Sequence, residues 1–183
     1  MRVIAGLYKG RKLESSKDLS IRPTTDRVKE YIFNILQNFP QNKKILDIFS
    51  GSGSLGIEAL SRGASSVVFV DKAVSSINIL RRNLKNLSIS KDQFAIVNSD
   101  AVEYVNDSGQ KMDLCFMDPP YIYPPMQELV DMFFAKKLLN SGGILAVEHE
   151  ISNPVEQENS LYRIFSQKKI GRSLISFFEE KAD

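Results

Sequence analysis

The feature that most constrains the fold of this 183-residue chain is a short apolar run that breaks into glycines. Ile45-Leu46-Asp47-Ile48-Phe49 is followed at once by Ser50-Gly51-Ser52-Gly53-Ser54-Leu55-Gly56, and Ile57-Glu58-Ala59-Leu60 then opens a helix. A second apolar run, Val67-Val68-Phe69-Val70, ends at Asp71, twenty positions after Gly51. Strand, glycine loop, helix and strand in that order form the first half of a doubly wound α/β sheet. Glycine is required where backbone must approach a ligand closely, and an acid at the next strand tip can grip ribose hydroxyls. The placement of G-x-G-x-x-G therefore predicts a nucleoside-cofactor site, with Asp71 on the ribose.

A second motif narrows the cofactor. Leu114-Cys115-Phe116-Met117 reads as a buried strand and runs into Asp118-Pro119-Pro120-Tyr121. Prolines fix φ and carry no N–H, so the nearby carbonyls are free to accept hydrogen bonds. An aromatic beside them can lie over a planar guest, as aromatic side chains do with extruded bases. Acceptors next to a stacking surface suit a planar group with an exocyclic NH₂, and such a mouth has no role in hydride transfer. Asp47, at the strand tip before the glycines, would oppose a pyrophosphate but could accept from an ammonium group. Both points favour S-adenosyl-L-methionine over a dinucleotide.

Along the chain, strands are expected near residues 45–49, 67–71, 94–97, 113–117 and 143–148, and helices near 54–62, 74–87, 100–106 and 126–139. Thr24 or Thr25 can cap an earlier helix whose apolar positions Val28, Ile32, Ile35, Leu36 and Phe39 follow helical spacing, with Pro40 closing it. Residues 2–14 read as a β-hairpin around Gly6 and Gly10. The alternation of apolar strands and helices implies a mostly parallel sheet covered on both faces. Leu161–Ile170 and Ser173–Glu179, joined at Gly171-Arg172, finish it as an antiparallel hairpin. One domain is expected over 1–183, with 1–42 a basic hairpin-and-helix extension and 43–183 the cofactor-binding and catalytic core.

The residues so far arranged resemble one family over nearly the whole chain: the bacterial methyltransferases that modify N2 of one guanine in small-subunit (16S) ribosomal RNA. The resemblance rests on Met1-Arg2-Val3-Ile4-Ala5-Gly6 with Lys9-Gly10-Arg11-Lys12-Leu13, and on Arg22-Pro23-Thr24-Thr25-Asp26-Arg27-Val28-Lys29-Glu30. It continues through Leu46–Ala64, the D-P-P-Y, and Lys168-Lys169-Ile170-Gly171-Arg172-Ser173-Leu174. The chain has Ser50 and Ser54 where small residues, often Ala, are usual. It has Ile170-Gly171-Arg172-Ser173 in place of a usual Tyr-Gly-x-Thr.

The resemblance implies an S-adenosylmethionine-dependent guanine-N2 methyltransferase with a Rossmann-like sheet. Asp118 and the Pro119 carbonyl would accept from the target amine, Pro120 would stiffen the mouth, and Tyr121 would stack on the base. Guanine N2 is a poor nucleophile, so the need is an in-line approach and acceptors that draw the NH₂ hydrogens out of the ring plane. Such placement lowers a barrier by roughly 7–11 kcal/mol. The backbone of Phe49, Ser50, Gly51, Ser52 and Gly53 would hold the methionine portion, with Gly56 completing the loop and Asp47 on the ammonium. Thr25 would approach the carboxylate. Asp100, at the tip after Phe94-Ala95-Ile96-Val97, would accept from the adenine amino group, and Lys72 and Ala101 flank these acids.

Charge is unevenly placed: residues 1–44 carry ten Lys/Arg against four Asp/Glu, and the rest fourteen against eighteen. Arg2, Lys9, Arg11, Lys12, Arg22 and Arg27 are the candidate RNA contacts. The implied partner is 16S ribosomal RNA or a small-subunit assembly intermediate, met by a monomeric, cytoplasmic protein with no metal and no membrane span. Cys115, mid-strand, reads as a core residue, and the one histidine, His149, has no partner set for a metal. The nearest rival is an adenine-N6 methyltransferase on RNA or DNA, since D-P-P-Y serves either amine. A nicotinamide-dependent oxidoreductase and a non-catalytic RNA-binding module are the rivals from other classes.

Overall fold

The computed structural model describes residues 1–15, 25–120, 123 and 126–181. Seven strands form one sheet: β1 (Lys44–Ile48), β2 (Ser66–Asp71), β3 (Phe94–Asn98), β4 (Met112–Met117), β5 (Leu139–Glu150), β6 (Tyr162–Ile170) and β7 (Ser173–Glu180). Their order across the sheet is β3-β2-β1-β4-β5-β7-β6. The first five run parallel, and β7 pairs antiparallel with both β5 and β6. The helices are α1 (Asp26–Leu36), α2 (Ser54–Ser61), α3 (Val74–Asn86), α4 (Ala101–Asp107) and α5 (Met126–Ala135).

Side-chain alternation divides the sheet into two buried faces. Ile45, Phe69, Leu114, Phe116, Ala146 and Phe177 face α1, α2 and α3, while Leu46, Ile48, Cys115, Met117, Leu145 and Val147 face α4 and α5. Because both faces are covered, β1 and β4 read as continuous apolar runs rather than as alternating ones. Gly56 makes one of these contacts possible: a Cβ there would lie 2.3 Å from the Phe69 ring, so α2 settles onto β2 only with glycine at that point.

Residues 2–14 form a short antiparallel hairpin: Arg2 and Lys12 bridge, Val3 N–H donates to the Arg11 carbonyl at 2.9 Å, Gly10 N–H to the Val3 carbonyl at 2.9 Å and Leu13 N–H to the Met1 carbonyl at 3.0 Å. Its turn docks on α2. The N–H groups of Ile4 and Ala5 donate to the Glu58 carboxylate at 2.7 and 3.0 Å, and those of Leu7 and Tyr8 to the carbonyl and hydroxyl of Ser61 at 2.7 and 2.9 Å. Gly6 sits at φ +80 against α2, where a Cβ would overlap the Ser61 carbonyl. The expected helix over 126–139 stops at Ala135. Lys137 takes φ 52, Leu138 and Leu139 enter the core, and β5 starts at Leu139, four residues ahead of the expected strand.

The extension is also tied down by charge. Lys29 and Glu58 are both fully buried, with Lys29 Nζ 3.9 Å from a Glu58 oxygen and donating to the Arg2 carbonyl, and Arg62 Nε meets Glu58 at 2.9 Å. Burial pulls the Lys29 pKa down, and the Glu58 charge pulls it back up. Asn83 of α3 holds the far end of the segment, exchanging hydrogen bonds with Glu14 and donating to the Ser52 carbonyl in the glycine loop.

Candidate active site

A cavity of about 290 Å³ opens at the carboxyl ends of β1, β2, β4 and β5. This is where a doubly wound sheet binds its ligands, beside the strand at which the chain order reverses. Phe49, Ser50, Gly51 and Ser52 after β1, Asp71 and Lys72 after β2, Ala101 beyond β3, and Asp118, Pro119 and Pro120 after β4 all line the cavity. Ile48 pairs with Met117, so Phe49 and Asp118 leave adjacent strand ends. Thr25 also reaches the cavity while its hydroxyl caps α1, accepting from Val28 N–H at 3.3 Å.

Not every expected residue lies on the wall. Gly53 and Gly56 stand behind it: Gly53, at φ +83, turns the chain into α2, and both glycines make room for packing against Leu80 and Phe69. Asp100 is likewise set back. One carboxylate oxygen accepts from Val102 N–H at 2.9 Å as the cap of α4, the other lies 3.6 Å from Lys72, and Ser99 and Ala101 face the cavity in its place. Tyr121 and Arg22 lie outside the described residues.

The acids at the strand tips are positioned by backbone. Asp71 accepts from the N–H groups of Gly51 and Ala73, both at 2.8 Å, which locks the glycine loop to β2. Each carboxylate oxygen keeps a second lone pair for a ligand. Asp47, only 2% exposed, accepts from Gly56 N–H at 2.9 Å. Burial raises its pKa to about 7, the Asp71 charge adds to the rise, and the Gly56 N–H opposes it. A nearby cation would return it to the anionic form.

These features fit S-adenosylmethionine. Ser50 and Ser54 line the cavity, and their buried hydroxyls have no hydrogen-bond partner among the described residues, which leaves polar groups spare beside the glycine loop. A buried carboxylate tuned near neutrality beside them suits an ammonium group. The other face of the cavity is apolar in part, with Phe49 set edge-on to Tyr123 at 4.9 Å between ring centroids.

The sequence reading passed over the end of β5. Glu148, His149 and Glu150 line the cavity together with Asn153 and Ser173. His149 is buried and bonded to the Ser176 hydroxyl at 2.9 Å and the Asn153 carbonyl at 3.1 Å; burial lowers its pKa, and the backbone of Asn153 and Glu150 opposes the fall. Charged residues closing a buried strand were the available signal, and Val147-Glu148-His149-Glu150 carried it. Cys115 is fully buried, and burial pushes its thiol pKa up, in keeping with a core residue.

Comparison with known proteins agrees with this architecture. Ribosomal RNA small subunit methyltransferase D of Haemophilus influenzae is 35% identical over 157 residues, covering 85% of this chain and 81% of that protein. The Escherichia coli (strain K12) protein of the same name is 32% identical over 185 residues, covering 100% and 91%. The solved structure of Escherichia coli yhhF superposes with a TM-score of 0.89 at 30% identity, covering 100% of this chain and 99% of the other. The family described as Conserved hypothetical protein 95 matches residues 1–179. The chain belongs to that family, and along its length it is a relative of the ribosomal RNA small subunit methyltransferase D proteins.

Proposed function

We propose that this protein transfers a methyl group from S-adenosylmethionine to the exocyclic N2 of a guanine in small-subunit ribosomal RNA. The observation that carries the reading is one cavity lined by the glycine loop, Asp71 and Asp118-Pro119-Pro120. Bound S-adenosylmethionine supplies an activated sulfonium methyl. Phe49 to Ser52, with the hydroxyls of Ser50 and Ser54, hold the methionine end, Asp47 meets its ammonium, and Thr25 stands near its carboxylate. Asp71 takes the ribose, and the wall of Lys72, Ser99 and Ala101 takes the adenine, with Asp100 behind it.

Asp118 and the Pro119 carbonyl orient the NH₂ so that its lone pair points at the methyl carbon. Methyl donation to that lone pair is the chemistry the sulfonium would supply there, and the proton that N2 then gives up would pass to solvent. Acceptors already in place stabilise the positive charge as it develops. The base must be turned out of its stack to enter, at a cost of a few kcal/mol. Nucleoside mass spectrometry of small-subunit RNA from cells lacking the gene tests the reading. Loss of N2-methylguanosine, restored by the purified protein, is the expected result; loss of N6-methyladenosine would favour the adenine rival.

Asp47 makes cofactor binding depend on pH. Ligand-free, its carboxyl titrates at about 7. A bound ammonium favours the anion, so below that pH binding expels a proton. Affinity for S-adenosylhomocysteine is therefore full above pH 7 and falls by up to about tenfold per pH unit below it. Calorimetry at pH 6 in buffers of different ionisation heat should register release of close to one proton. An affinity that stays constant between pH 6 and 8 would remove the ammonium from Asp47.

The basic extension supplies the RNA grip in this reading. Arg2 is drawn toward Asp26 at 3.3 Å and Arg11 donates to the Asn86 carbonyl at 2.8 Å. Lys9, Lys12 and Arg27 are exposed, and none makes an ion pair among the described residues. Each phosphate neutralised on a single strand contributes about 0.7 to the slope of log K against log salt, so replacing Lys9 and Lys12 with Ala should flatten that slope by about 1.4. Cofactor affinity should not move. A lower melting temperature with an unchanged slope would make these lysines structural.

A further inference from the structure

We infer that Glu148 reads the guanine edge, its carboxylate accepting from N1–H while Asp118 accepts from the N2 amine. This rests on the guanine-N2 reading above and names the group that separates guanine from adenine at that site. Met117 of β4 pairs in parallel register with Val147 of β5, so Asp118 and Glu148 leave neighbouring strand ends at the same level. Adjacent strands lie about 4.8 Å apart, and both side chains line the cavity. The two carboxylates thus leave adjacent strand ends into one cavity, where a single planar ring can meet both.

Glu148 is also held in place. The buried Ser173 hydroxyl donates to one of its oxygens at 2.7 Å, from the first residue of β7. A carboxylate fixed in this way is an acceptor only. Guanine offers two neighbouring donors on its Watson–Crick edge, N1–H and the 2-amino group. Adenine offers its 6-amino group beside an N1 lone pair, which would face the Glu148 charge. D-P-P-Y alone serves either amine; the acid one strand over does not.

The test uses small-subunit ribosomal RNA transcribed in vitro, with the methylated guanine first located by mass spectrometry. That position is then replaced by 2-aminopurine, which keeps the 2-amino group but presents a lone pair at N1. Wild-type enzyme should prefer guanine by at least about a hundredfold in kcat/KM, as sites built to pair a donor reject analogues that lack it. In Glu148→Gln the amide can donate to N1 of 2-aminopurine, so the ratio should collapse to within about tenfold. S-adenosylhomocysteine affinity should stay within about twofold, which also reports that the variant is folded. If Glu148→Gln does not fold, Ser173→Ala serves instead, and the unpinned carboxylate should lower the ratio several-fold. A wild-type ratio near one, or the same ratio in wild type and variant, overturns the Glu148 assignment alone. A wild type that methylates no guanine in this RNA overturns the parent reading with it.

Discussion

Asp118→Ala is expected to lower methyl transfer by about 10²–10³-fold, or about 2.7–4 kcal/mol of barrier, the range for removing one preorganised group aimed at developing charge. Asp118 sits one residue past the end of β4 and lines the same cavity as the glycine loop. The loss should therefore fall on the chemical step. Affinity for S-adenosylhomocysteine should stay within about twofold, because the groups assigned to the cofactor lie at the ends of β1, β2 and β3 and at Thr25, and Asp118 is not among them. Single-turnover kinetics at saturating cofactor and RNA isolates the step. A variant keeping more than about a tenth of the wild-type rate, a change under roughly 1.4 kcal/mol, would transfer the amine contact to another group.

The largest effect on stability is expected from Glu58→Ala. Glu58 is fully buried and its carboxylate accepts from the backbone of Ile4 and Ala5 and from Arg62, with the buried Lys29 ammonium 3.9 Å away. Removing it strands a buried cation, which typically costs 3–5 kcal/mol. At this chain length that is a fall in melting temperature of roughly 6–20 °C. Glu58→Leu combined with Lys29→Met gives a sharper reading. An ordinary buried ion pair can often be replaced by apolar residues without loss. Here two backbone N–H groups would remain unsatisfied, each costing about 1–3 kcal/mol, so the double variant should stay well below wild type. A double variant as stable as wild type would mean that the extension is held by something other than Glu58.

What could be read from the residues and what could not divides by distance along the chain. β1, β2 and β4 and the glycine turn were visible because local constraints specify them: strands covered on two faces are mostly apolar, and a chain at φ +83 needs glycine at position 53. The end of α5 was misplaced because Leu138 and Leu139 are apolar at positions that suit either a helix stripe or a buried strand. Lys137, whose φ of 52 breaks the helix, is not a residue that announces such a turn. The hairpin over 2–14 was legible around Gly6 and Gly10, but its docking on α2 was not, because its partner there is Glu58, more than fifty residues away. Glu148 went unremarked for the same reason: its meaning comes from Asp118 beside it and Ser173 across from it, and neither pairing is local.

The position of β7 has a consequence for the order in which a ribosome makes this protein. β7 follows β6 in the chain but lies inside it, between β5 and β6. When β6 emerges, the strand it must lie against has not yet been synthesised, and it cannot join the sheet until β7 slots in. The residues assigned to the cofactor all precede position 102, whereas Ser173, which fixes Glu148, opens that inserted strand. Because domains assemble from the amino end during synthesis, the growing polypeptide can complete its methyl-donor half well before its acceptor half has a wall. The last strand to arrive is the one whose first residue, Ser173, holds the Glu148 carboxylate of β5 in place.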